Sequence, residues 1–278
     1  MLNKTEKDEI LSNLSIMSFV SSIRWKFLLA VFKLKRIVAR ILGTRELDYF
    51  RYPLRIRTTT LREYETRARS VKKEPKTVAW IERNAGESKR VLYDIGANIG
   101  AYSLIAGKLG SRVYAFEPSS YNFDALESNV TLDGLSSKIT GLPIALGAKT
   151  RIGIFTVSDA TPGSSRGFYN EAEIHHLPAN TVEKRELLVM SLDDCVKIFE
   201  LSEPSFIKID VDGGEVEVLQ GATHTLKSET LKSVLVEVWQ GQEDPIFHIL
   251  HSCGFIMKER TRLNSHTENI IFKRKAER

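Results

Sequence analysis

A chain of 278 residues with 42% hydrophobic content is long enough for one large domain with an appendage, or for two small domains. Cys195 and Cys253 lack CxxC spacing and have no His-Cys cluster nearby, which argues against a disulfide framework or a structural zinc site and fits a reducing cytoplasm. The net charge of +5 conceals an asymmetry: residues 1–90 hold 21 Lys+Arg against 10 Asp+Glu, and residues 91–278 hold 19 against 25.

The first ten residues are charged and no small-residue cleavage site follows them, so no signal peptide is expected. Val20, Ile23, Phe27, Val31, Leu34, Val38 and Ile41 step by three and four, which predicts one apolar face of a helix ended by Gly43. Six Lys and Arg residues interrupt the segment, so it does not read as a membrane span. Three roles stay open for this helix: docking on the chain's own domain, a dimer seam, or a cationic helix lying on an anionic membrane surface.

Residues 44–75 are rich in Arg and Thr with little periodicity, and read as a connector with some β character around "YPLRIRTTT". The boundary between a helical N-terminal extension and the main domain is therefore expected at 75/76. A helix is predicted over 76–86, after which strands and helices alternate. "RVLYDIG" and "RVYAFEP" are buried strands, "GAYSLIAGKLG" and residues 120–132 are helices, and "ITGLPIALG" reads as a third strand. "RIGIFTVS" and "KRELLVMS" are expected as antiparallel additions around a polar insert, residues 158–184. "SFIKIDVDGGE" and "TLKSVLVEVW" then give two more parallel strands, and "FIMKER" with "ENIIFKR" a closing antiparallel pair. The economical architecture is α/β: an open, mostly parallel sheet with helices on both faces.

In such sheets ligands bind at the carboxyl ends of the strands. "YDIGANIGAYS" places Gly96 and Gly100 in the first strand-to-helix turn, with Asp94 before them and Asn98 where a dinucleotide loop usually has glycine. Asp94 would repel a pyrophosphate but would favour an α-ammonium, directly or through water. Glu117 ends the second strand, where a carboxylate can accept hydrogen bonds from two ribose hydroxyls, and Pro118 opens the next helix. A sulfonium, an amino acid tail and a ribose without phosphate describe S-adenosylmethionine. A nicotinamide enzyme fits these residues less well.

"YDIGANIGAYS", "AFEPSSYNFDALESNV", "SLDD" and "IKIDVDGGEVEVLQGA" together resemble the FkbM family of S-adenosylmethionine-dependent methyltransferases, over about residues 90–240. The resemblance implies a Rossmann-like class I methyltransferase fold. It also implies a cofactor site lined by Asp94, Gly96, Ala97, Asn98, Gly100, Glu117 and Pro118, with Asn98 near the methionine tail. Family members mostly methylate hydroxyl groups of sugars and natural products. By that resemblance the expected activity is O-methylation of a sugar or glycoconjugate, with a small-molecule or saccharide acceptor.

Such a transfer needs proximity and a group that removes the hydroxyl proton. Asp210 is the first candidate base and Asp212 the second; both would project from one side of the fourth strand unless the chain has already turned, and capping the next helix is their competing role. Asp210, Asp212 and Glu237 could also supply oxygens to Mg²⁺, although Glu237 has a simpler role, pairing with Lys208 on the neighbouring strand. Asp193 and Asp194 read as first-turn acids of a helix. The insert, with Arg166, Tyr169 and Asn170, is a candidate acceptor lid, and His175 or His176 in it an alternative base; a disordered surface loop is the competing reading.

Two further functions stay open: a nucleic-acid methyltransferase, suggested by the basic N-terminal third but lacking the Asn/Asp-Pro-Pro-aromatic motif, and a catalytically silent cofactor-binding module. The expected location is cytoplasmic, with peripheral contact at the inner membrane surface as an option.

Overall fold

The computed structural model describes residues 33–34, 43–86, 90–157, 167–168 and 183–275. Apart from Lys33 and Leu34, which are helical, the N-terminal helix expected over residues 20–41 lies outside the described residues, as does most of the polar insert.

The described chain opens with an antiparallel pair, β1 (Thr44–Glu46) and β2 (Arg55–Arg57). Short helices α1 (Leu61–Glu65) and α2 (Ser70–Lys73) follow, then α3 (Pro75–Ala85). Thr60 and Glu63 close a capping box on α1, and Pro75 starts α3 where no helical N–H is required.

The alternating part runs β3 (Val91–Ile95), α4 (Ala101–Lys108), β4 (Arg112–Phe116), α5 (Ser120–Leu132) and β5 (Ile139–Leu142). Next come β6 (Ala145–Leu146), β7 (Arg151–Val157), β8 (Gly167–Phe168) and β9 (Glu183–Met190). The chain finishes with α6 (Leu192–Ile198), β10 (Phe206–Ile209), α7 (Glu215–Gln220), β11 (Ser233–Trp239), α8 (Glu243–Ser252), β12 (Phe255–Arg262) and β13 (Thr267–Arg274).

Seven strands form one sheet in the order β12-β13-β11-β10-β3-β4-β5. The five from β11 to β5 are parallel, and β13 enters antiparallel between β11 and β12. This is the Rossmann-like class I methyltransferase arrangement, with the expected antiparallel closing pair. Helices cover both faces. Leu104, Ile105, Leu126 and Val130 of α4 and α5 pack on one, and Leu192, Val218, Leu219, Ile246 and Leu250 of α6 to α8 on the other. Burial on both faces explains why β3, β4 and β10 read as continuous apolar runs rather than alternating ones.

Two expectations change. "ITGLPIALG" is not one strand: β5 ends before Pro143 and β6 joins a second sheet of order β6-β9-β7-β8. Pro143 offers no N–H to a ladder, so the chain breaks there and crosses between sheets. Residues 44–75 are also more than a connector. Leu47, Tyr49, Leu54 and Ile56 are buried in the same core as Trp80, Leu92 and Leu104, so this segment packs on the sheet. Trp80 fixes the junction by donating from its indole N–H to Ser233 Oγ at 2.8 Å.

The two cysteines are buried, and burial pushes the Cys195 thiol up to about 12. Among the described residues no helix is long and apolar enough to cross a membrane.

Candidate active site

The carboxyl ends of β3, β4, β10 and β11 open into one cleft. The turn after β3 forms its floor: Gly96 and Ala97 both donate N–H to the Phe116 carbonyl at 3.0 Å, joining this turn to the end of β4. Gly96, at φ +77°, cannot carry a side chain, because a Cβ would lie 1.8 Å from the Asp210 carbonyl oxygen. The space that a side chain would need there is taken by the backbone at the end of β10. Gly100 adopts φ +87° and faces Leu126 of α5, so it serves helix packing.

Gly96, Asn98, Glu117 and Pro118 line the cleft. Ala97 and Gly100 stand behind that surface, shaping the turn. Asn98 takes the left-handed conformation at φ 52°, and its side-chain oxygen accepts the Ile99 N–H. Glu117 is 5% exposed, and its carboxylate accepts N–H bonds from Asn98 at 2.8 Å and Ser119 at 2.9 Å. Burial outweighs these bonds and pushes its pKa up to about 7.

Asp94 sits below the cleft. It is fully buried, receives Ser103 Oγ–H at 2.6 Å, and lies 3.6 Å from the Lys208 ammonium. The neighbour that Asp94 meets is therefore the chain's own ammonium. Lys208 and Asp94 are cross-strand partners on β10 and β3. That cation also holds Asp210 at 2.9 Å. Glu237 is therefore not the partner of Lys208 that the sequence suggested; Lys208 neutralises Asp94 and Asp210.

Beyond Ile209 the strand has already turned. Asp212 adopts φ 55° and Gly213 φ 116°, so Asp210, Val211 and Asp212 all reach the cleft. A left-handed aspartate is a strained backbone at a ligand-facing position. Glu215, fully buried at the start of α7, holds this turn by accepting the N–H groups of Val211 and Gly213, both at 3.1 Å.

Besides Glu117, the three other acids that line the cleft differ in how readily they ionise. Burial opposes ionisation of Asp210, but the Lys208 ammonium overcomes it and keeps its carboxyl below the ordinary range. Burial, with Asp210 and Glu215 adding repulsion, holds Asp212 well above that range. Glu237 is pushed up to about 9 by burial and by the negative charges of Asp210 and Asp212. Among the described residues no three metal-ligating side chains come together closely enough to hold an ion.

The remaining lining includes apolar Ile144, Leu146 and Phe155 from the chain after β5, and the cations Arg67 and Lys73. Sequence reading passed over these two cations, although "RARSVKK" carried a concentrated positive charge. Asp193 accepts N–H bonds from His224 at 2.7 Å and Thr225 at 2.8 Å, away from the cleft, and Asp194 lies in the first turn of α6, as expected. His175 and His176 lie outside the described residues.

Residues 94–257 match the methyltransferase FkbM domain, more than half of the chain and all the strands that carry the acidic groups. The chain belongs to the FkbM methyltransferase family. It is 29% identical over 190 residues to the hexuronic acid methyltransferase AglP of Haloferax volcanii, covering 68% of this chain and 72% of that protein. The 31-O-demethyl-FK506 methyltransferase FkbM of Streptomyces tacrolimicus is 27% identical over 203 residues, covering 64% of this chain and 77% of that protein. A crystal structure of methyltransferase FkbM from Methylobacillus flagellatus KT superposes with a TM-score of 0.47 at 18% identity, covering 66% of this chain and 43% of that one.

Proposed function

We propose that the chain is an S-adenosylmethionine-dependent O-methyltransferase whose acceptor is a hydroxyl group of a sugar or glycoconjugate. The observation that carries this reading is the placement of Glu117. Its buried carboxylate faces the cleft from the end of β4, beside the Gly96 to Asn98 turn, in a lining that also holds apolar side chains.

That donor set suits a ligand with a ribose, a flat apolar base and a positive centre. Glu117 would accept from vicinal hydroxyls, Ile144, Leu146 and Phe155 would contact the base, and the ionised Asp210 would face the cation. When bound, S-adenosylmethionine supplies an activated methyl group. The AglP relative, described as a hexuronic acid methyltransferase, supports a saccharide acceptor.

Asp210 and Asp212 divide the remaining work. The Lys208 ammonium favours the ionised form of Asp210 against the effect of burial and makes it the weaker base, suited to holding charge in place. Asp212, whose proton affinity is raised, is the better base for the acceptor hydroxyl, reversing the order suggested by sequence alone. It takes the proton as the C–O bond forms.

Isothermal titration with S-adenosylmethionine and S-adenosylhomocysteine tests the cofactor, with Glu117→Ala as control. Loss of binding in the variant is expected. Unchanged binding would remove Glu117 from the site. Transfer of labelled methyl to a saccharide panel, lost in Asp212→Asn with cofactor affinity retained, tests the base.

A further inference from the structure

We infer that Glu237 is a specificity residue that binds a second oxygen of the acceptor, beside the hydroxyl that is methylated, so that the acceptor is a vicinal diol of a sugar rather than a lone alcohol. This rests on the reading of the cleft as a site that methylates a sugar hydroxyl.

Glu237 lines the cleft near the end of β11 and takes no part in holding the cofactor or removing the proton. The other acids there have occupations. Glu117 accepts N–H groups from Asn98 and Ser119, Lys208 holds Asp210 at 2.9 Å, and Asp212 stands free as the base. Glu237 is free as well: among the described residues no hydrogen bond or ion pair reaches its carboxyl, and the charges acting on it, from Asp210, Asp212, Glu215 and Glu74, all repel its ionised form.

Its strand neighbours are already engaged. On β13 the partner of Glu237 is Asn269, whose side-chain N–H groups go to Glu74 and Thr77, each at 3.1 Å. On the other side β10 pairs with β11 up to Ile209 and Val236, so Glu237 follows beside Asp210 at a strand spacing of about 4.8 Å. Asp210 and Asp212 are the charges that act on it most strongly, so the base and this spare carboxyl face one region of the cleft.

Burial pushes the Glu237 pKa up to about 9, so the side chain carries its proton at neutral pH. A protonated carboxyl offers one O–H donor and one carbonyl acceptor, which matches the donor and acceptor of a hydroxyl. It adds no further charge beside Asp210. An acceptor that expels water from this end of the cleft must replace the bonds of Glu237 or leave a polar group unpaired.

The test supplies the full chain with S-adenosylmethionine carrying a labelled methyl group and, one at a time, the methyl glycosides of glucose, galactose, mannose and glucuronic acid. NMR identifies the methylated position, and deoxy sugars lacking one or the other neighbouring hydroxyl are compared with the intact sugar by kcat/KM. Loss of one of the two neighbours is expected to lower kcat/KM about tenfold or more. Glu237→Met should lower kcat/KM for the intact sugar by a similar factor, leave it nearly unchanged for that deoxy sugar, and leave S-adenosylhomocysteine affinity unchanged. Glu237→Gln, which keeps a donor and an acceptor, should retain most of the preference. Equal kcat/KM for the intact and both deoxy sugars would overturn the inference, as would a preference undiminished in Glu237→Met, an equal loss for both sugars in that variant, or methylation at the primary C6 hydroxyl, which has no vicinal hydroxyl. A parent protein that binds S-adenosylhomocysteine yet methylates none of these sugars would instead overturn the sugar reading of the acceptor, and failure to bind it would overturn the reading of the cleft itself.

Discussion

Gly96 and Asp210 meet backbone to backbone: the position of a Cβ on Gly96 is 1.8 Å from the Asp210 carbonyl oxygen. The turn that holds Asn98 and the strand end that holds the acidic pair are therefore one mechanical unit. Gly96→Ala must move Asp210 as well as strain a positive φ. A loss of about 3 kcal/mol or more in urea unfolding is expected from the clash and the backbone strain together. S-adenosylhomocysteine affinity should fall with it. Parent-like stability would mean that the two strand ends separate freely.

Lys208 is the only described cation on the inside of the parallel strands, between Asp94 and Asp210. Lys208→Met leaves the fully buried Asp94 and the partly exposed Asp210 without their counter-ion, and removing one partner of a buried pair costs about 3–5 kcal/mol, of which Asp94 carries the larger part. Adding Asp210→Asn to that variant should recover part of the loss. Thermal denaturation of the two single variants and the double variant reads the coupling, and strict additivity would show that the pair is not coupled.

Glu117 should make cofactor binding pH-dependent. Its ionised form accepts hydroxyl hydrogen bonds, and its pKa of about 7 means that this form becomes dominant only above neutrality. Affinity for S-adenosylhomocysteine is expected to rise from pH 6 to about pH 8, with Glu117→Gln flattening the curve while lowering its plateau. A flat parent curve over that range would show that the carboxylate is ionised throughout.

Glu237 should lower stability in alkali. Its folded pKa of about 9 lies above the value of about 4.5 expected unfolded, so the folded protein binds the extra proton between those limits. Stability contributed by this group is complete below about pH 4.5 and is lost progressively as pH rises toward about 9. Glu237→Gln, which mimics the protonated form, should match the parent near pH 5 and unfold at higher temperature than the parent at pH 9. A variant with no advantage at pH 9 would show that the carboxyl is solvated.

Much of this architecture was legible in the chain. Parallel strands buried on both faces appear as short apolar runs, and their ends were marked by Asp94, Glu117 and Asp210. The β/α alternation and the antiparallel closing pair followed from that pattern. What escaped depends on pairing between distant segments. Nothing local shows that Lys208 lies beside Asp94, because the contact is set by the register of β10 on β3. The same holds for Arg67 and Lys73, which reach the cleft through the hydrogen bonds of Asp48, about twenty residues away in sequence. Local reading also could not show that the space at Gly96 belongs to the chain itself.

The buried state of Cys195 and Cys253 has a practical consequence. A maleimide dye or spin label placed at a new surface cysteine, such as Lys76→Cys beside the cationic segment, should react selectively without removing the native thiols. Distances from that site could then be followed as ligands are added, using an otherwise unaltered protein.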